Sequence, residues 1–109
     1  MPKAILVVQS QAVTPEREEE YHDWYDNRHL GEVRAIPGIV DARRYSLAQM
    51  VVGPDGDIPA HLAIYEIDTD DPSAIIDELA TRAGDGRIFM SDVLEMDPPP
   101  TTLLYVERE

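Results

Sequence analysis

The chain has no cysteine, one lysine, one tryptophan and one phenylalanine among its 109 residues. Without cysteine there is no disulfide framework and no thiolate metal site. Positive charge is equally scarce: 9 basic residues face 22 acidic ones, for a formal net charge of -13. The only adjacent basic pair is Arg43-Arg44, so neither a phosphate-tracking surface nor a polybasic membrane patch is expected. Long hydrophobic runs are missing too. The longest, Ala4 to Val8, is far short of a membrane span or a signal-peptide core. A soluble, cytoplasmic protein that binds neither nucleic acid nor membrane is the expectation.

The length suits one domain, residues 1–109, and the 43% hydrophobic content suffices for one core. Acidic residues cluster: seven against three basic in residues 14–35, and ten against two in residues 66–97. Solvated helix faces and loops account for such clusters.

Lys3 to Gln9 is a β-branched apolar run, read as a buried strand. Thr14-Pro15-Glu16 has the features of a helix start, with Thr14 as N-cap and Pro15 at the first helical position. That helix runs to Ala35 or Ile36, where Pro37-Gly38 ends it. Ile39 to Leu47 and His61 to Ile67 read as strands, separated by a turn-rich stretch from Val52 to Pro59. Asp71-Pro72-Ser73 opens a second helix through Ala83, closed by Gly84. Residues 85–100 fit either a short strand or a helical turn, and Thr101 to Glu107 is the last strand.

The order β-α-β-β-α-β with right-handed crossovers predicts the ferredoxin-like plan: a four-stranded antiparallel sheet with both helices on one face. Yet the strands are apolar on both sides. Ile5 and Val7 alternate with Leu6 and Val8, and Leu62 and Ile64 with Ala63, Tyr65 and Ile67. Two helices cover one face, so the other needs a partner, and a second copy packed sheet to sheet supplies it. The alternative is that residues 85–100 fold back over that second face. Tyr105 is expected in the core.

The first helix carries the chemistry. At 100° per residue, Tyr21, Trp24, Tyr25, Val33, Ala35 and Ile36 share one arc. His29 falls inside that arc and His22 lies beside it. Desolvation there favours a neutral imidazole with a free nitrogen, although a histidine on an apolar face is as readily a packing residue. His22 and His29 are seven positions apart, about 10 Å along the axis, too far to share an ion, so no metal is expected. Arg28 and Glu32 form an i, i+4 pair, and Gly31 marks either a kink or a close backbone approach. Arg44 is assigned to one strand face with Val40, Ala42 and Ser46, where a guanidinium either binds a substrate oxygen or guards an edge strand. His61 reads as a solvated strand end.

Trp24-Tyr25-x-x-x-His29, then Ile36-Pro37-Gly38-Ile39-Val40 and Ala42-Arg43-Arg44-Tyr45, resembles the dimeric α+β barrel superfamily, in its EthD-like branch. The resemblance implies a homodimer whose two sheets enclose a cavity. It also implies chemistry drawn from cofactor-free monooxygenases, polyketide cyclases, lactone isomerases or haem enzymes. His29 matches a cavity-facing helix histidine, Trp24 and Tyr25 match the aromatics before it, and Arg44 and Tyr45 match the end of the second strand. Gly31 stands where such relatives usually carry proline.

The expectation is therefore a cofactor-independent isomerase, cyclase or lyase that moves a proton next to a carbonyl. Its partner would be a small hydrophobic, aromatic or polyketide-like molecule. His29, Arg44 and Tyr25 are the candidate catalytic residues, and Trp24, His22, Val33, Tyr45 and Tyr65 the candidate substrate contacts. A cofactor-free monooxygenase, a non-catalytic metabolite-binding dimer and an accessory protein of a degradation pathway are the alternatives.

Overall fold

In a computed structural model, which describes residues 3–108, four strands form one antiparallel sheet in the order β2-β3-β1-β4. The strands are β1 (Lys3–Ser10), β2 (Ile39–Ser46), β3 (His61–Asp68) and β4 (Thr101–Val106). The two apolar central strands, β1 and β3, pair in register from Lys3↔Asp68 to Ser10↔His61. Between β1 and β2 the chain is helical almost throughout: a 3-10 turn (Pro15–Arg17), α1 (Glu18–Trp24), a π turn (Tyr25–His29) and α2 (Leu30–Arg34). Helix α3 (Pro72–Asp85) follows β3. This is the expected ferredoxin-like α+β arrangement.

One sheet face carries the core. Leu6, Ala63, Tyr65 and Ile67 are at most 2% exposed, and they meet Tyr21, Tyr25, Val33, Ile36 and Ile75 from the helices. The opposite face presents Ile5, Val7, Leu62 and Ile64, all partly buried, beside exposed Tyr45, Leu103 and Tyr105. Tyr105, expected in the core, is 54% exposed on that open face. Its strand is at the sheet edge, where none of the described residues covers it.

Beyond the end of α3, residues 86–100 form no helix, and their one strand-like contact is an isolated bridge between Leu94 and Ala12. They wrap the helix side, not the open face, held by backbone bonds from Val13 N–H to Val93 O and from Glu95 N–H to Gln11 O. Ile88, Val93 and Leu94 are buried there. Helix α3 runs past Gly84, and Gly86, left-handed at φ 87°, closes it. A register shift between Ile39 and Asp41 puts Ile39 and Ala42 on the helix side. Val40 thus leaves the face it was expected to share with Ala42 and is 56% exposed. Among the described residues no helix is long and apolar enough to cross a membrane.

Candidate functional site

Between the helices and the sheet lies a cavity of about 290 Å³, just under the small end of ligand pockets. Leu6, Tyr25, His29, Val33, Tyr65 and Ile88 are among its lining residues. It belongs to the helix-covered side of a single chain, whereas the barrel resemblance implied a space between two sheets.

The π turn shapes its inner wall. The Leu30 N–H reaches five residues back to the Tyr25 carbonyl, widening the helix for one turn. Within this turn Tyr25 and His29 are both buried, with ring centroids 4.9 Å apart and nearly perpendicular. Trp24 stacks on the other side of His29 at 4.5 Å and donates its indole N–H to the Phe89 carbonyl. That bond, together with Phe89 N–H to Glu32 Oε1 at 2.8 Å, ties the 85–100 segment down as a cavity wall. The expected Arg28 to Glu32 pair is present at 3.1 Å, and Arg28 also lies over the Phe89 ring.

Polar atoms at this wall are left without partners. Among the described residues, His29 Nδ1 and the Tyr65 hydroxyl are buried and make no hydrogen bond of good geometry, although the Tyr25 and Tyr65 hydroxyls are close enough to influence each other. An orphaned buried donor or acceptor costs about 1–3 kcal/mol, so two at one cavity mark a place kept for something polar. Desolvation pushes the His29 imidazole down to about 4; Glu32 offsets this slightly and Arg44 adds to it. The ring is therefore neutral near pH 7. Burial pushes the Tyr25 phenol up to about 12 and Tyr65 above its ordinary value as well, so both remain hydroxyl donors. A neutral imidazole and two protonated phenols can together take a proton from carbon and hydrogen-bond an oxygen.

The other candidates take different places. Val33 lines the cavity. Arg44 does not: its guanidinium covers the outer face of Tyr25 at 4.4 Å. Nη1 of Arg44 donates to Asp26 Oδ1 at 2.7 Å and to His22 Nδ1 at 3.1 Å, while its Nε is buried without a partner. His22 is thus part of an outer polar cluster, and desolvation, followed by the charge of Arg44, lowers its pKa. Tyr45 points to the open face, opposite Leu62. His61 is 7% exposed and bonded at both nitrogens, not a solvated strand end.

Sequence reasoning missed Ser10, Met90, Leu94 and Thr102 in the cavity lining. Only the apolar triplet Ile88-Phe89-Met90 signalled that the segment after α3 would pack inward. Gly31 needs no close approach, since a Cβ there meets nothing within 4 Å.

No family model matches the sequence, and no curated protein matches it. Among solved structures, an ethyl tert-butyl ether D (EthD) family protein from Bacillus halodurans superposes with a TM-score of 0.57 at 20% identity. The match covers 99% of this chain and 100% of that one. The shared fold is the EthD-like fold. At this identity the likeness fixes architecture, and within the EthD-like fold function has to be argued from the cavity itself.

Proposed function

We propose that the protein is a cofactor-independent enzyme that moves a proton next to a carbonyl in a small hydrophobic, aromatic or polyketide-like substrate. The observation that carries this reading is the pair of buried polar groups without a hydrogen bond among the described residues, His29 Nδ1 and the Tyr65 hydroxyl, at one mainly apolar cavity. The substrate carbonyl accepts from Tyr65 and Tyr25, and His29 abstracts the adjacent C–H proton. Negative charge developing on the oxygen strengthens the phenol hydrogen bonds, which is where the barrier is lowered. The imidazolium formed at the same moment is next to that charge, offsetting the desolvation that keeps His29 neutral at rest. Arg44 acts from behind Tyr25, orienting the ring and adding positive potential at its hydroxyl.

The apolar walls favour uncharged substrates, because a carboxylate in this cavity would lie against Leu6, Val33 and Ile88 without a cation. A panel of aryl ketones and lactones in deuterated water tests the reading by NMR. Exchange of the protons next to the carbonyl is expected in the wild type, with a loss of about 10²–10⁴-fold in His29→Gln. Binding without exchange in any member of the panel would favour the metabolite-binding alternative.

The open sheet face supports a second part of the proposal: two copies pack sheet to sheet. Val40, Tyr45, Leu103 and Tyr105 are 38–56% exposed there, and apolar side chains gathered on one face favour contact with a partner surface. Sedimentation at micromolar concentration is expected to report about twice the 12.2 kDa chain mass. A clean monomer would remove this part while leaving the cavity chemistry, which lies within one chain, untouched.

A further inference from the structure

A second set of reactive side chains lies outside the cavity, where β2 ends and β3 begins. Ser46 is the last residue of β2, exposed, and its register partner on β3 is His61. Ser46 Oγ is 2.9 Å from His61 Nδ1, and His61 Nε2 is 2.8 Å from Glu18 Oε1. Tyr21 stacks on the His61 ring at 5.3 Å and His22 meets it edge-on at 4.5 Å, so the ring is held in place. The carboxylate only accepts, so Nε2 carries the hydrogen and Nδ1 presents its lone pair to the Ser46 hydroxyl. A hydroxyl, a buried imidazole and a carboxylate in this hydrogen-bonded order are the parts of an activated nucleophile.

We propose that Ser46, His61 and Glu18 form an acyl-transfer relay that acts on small uncharged carboxylic esters. Ser46 Oγ attacks the ester carbonyl carbon while its proton passes to His61 Nδ1. The tetrahedral intermediate collapses, the bond from acyl carbon to alcohol oxygen breaks, and the leaving alcohol takes the proton from His61. Water then attacks the acyl-serine, gives a proton to His61 and releases the carboxylic acid, and Ser46 recovers its proton. Glu18 stabilises the imidazolium formed in each half.

The oxyanion meets the amide of Ser46 itself. Strand β2 is at the sheet edge, and Leu47 N–H is turned towards Ala60 O. By strand alternation the Ser46 N–H points off the open edge. The carboxylate of Glu18 at the site disfavours anionic esters.

The donor atoms of Glu18, His22 and His61 also lie within 4.8 Å of one another, a spacing that suits a divalent cation. The hydrogen bonds favour the relay. Arg44, which only donates, is bonded to His22 Nδ1, so His22 Nε2, 3.8 Å from Glu18, carries a hydrogen rather than a free lone pair. An ion would require both imidazoles to reverse their tautomers.

The test treats the whole protein with a fluorophosphonate probe and, separately, with p-nitrophenyl acetate, and maps the adducts by peptide mass. Adducts on Ser46 are expected in both cases, absent in Ser46→Ala and formed about 10²-fold more slowly in Glu18→Gln. Both substituted residues are at the surface, and unchanged thermal melts confirm that the variants stay folded. No adduct on Ser46, or an equal rate in Glu18→Gln, overturns the relay. So does one-to-one zinc binding that is lost in His22→Ala and that shields Ser46 from the probe.

Discussion

Replacing His29 by Gln has a consequence for stability that needs no substrate to observe. The folded pKa of His29 is about 4 against an ordinary 6.5, because the ring is desolvated between Trp24, Tyr25 and the cavity. Between those two values the unfolded chain holds a proton that the folded chain does not. Folding therefore loses stability as pH falls from about 6.5 to 4, and the loss levels off below that. At 1.36 kcal/mol per unit, the full depression amounts to about 3 kcal/mol.

Glutamine cannot titrate, so His29→Gln lacks this pH dependence while sharing every carboxylate with the wild type. Urea unfolding of both proteins at a series of pH values from 7.5 to 4 isolates it. Near neutral pH the variant is expected within about 1 kcal/mol of the wild type, a few degrees in Tm. At pH 4 the difference should have moved by about 3 kcal/mol in the variant's favour. Parallel stability curves across the range would show that His29 titrates as an exposed imidazole, and the desolvated-base argument would fail with it.

Tyr65→Phe deletes a buried hydroxyl that has no partner, so Tm should hold or rise, while exchange activity in the ketone panel drops at least about 10²-fold. Activity that survives would remove Tyr65 as the oxygen donor. Arg44→Lys loses the planar contact over Tyr25 and one of the bonds to Asp26 and His22, at a cost of about 1.5–3 kcal/mol in urea unfolding. A neutral result would return Arg44 to an edge-strand charge. Gly31→Ala, exposed and with open space at its Cβ, should stabilise by up to about 1 kcal/mol in thermal melts. Destabilisation there would point to a second chain close to α2. Tyr105→Asp on the open face should shift sedimentation towards the 12.2 kDa monomer, and an unchanged mass would place any interface elsewhere.

The element order was legible because β1, β3 and β4 are largely apolar runs and Pro, Gly or acidic residues stand between most elements, signals that operate within ten residues of sequence. The buried arc of the first helix was legible for the same reason. The face assignments that failed depend on longer range. One extra residue at the Ile39/Asp41 irregularity moved Val40 to the open face, and nothing local to Val40 announces it. His61 looks like a polar strand end until Glu18, 43 positions away, and Ser46, 15 away, are brought to its two nitrogens. Likewise the cavity wall from residues 85–100 depends on Trp24 and Glu32 catching Phe89, contacts spanning 65 and 57 positions.

Both polar sites draw residues from the same helical segment, and an aromatic wall stands between them. Tyr21 and Tyr25 are buried in contact at 5.5 Å, with His29 and the cavity beyond Tyr25, and His61 stacked against Tyr21. Arg44 covers both rings from outside, at 4.4 Å from Tyr25 and 5.3 Å from Tyr21. Its charge is held by Asp26, so it lowers the pKa of both His22 and His29 without entering either site. The π turn lies on the cavity side of that wall, and Tyr25 and His29, in contact at 4.9 Å, are its first and last residues.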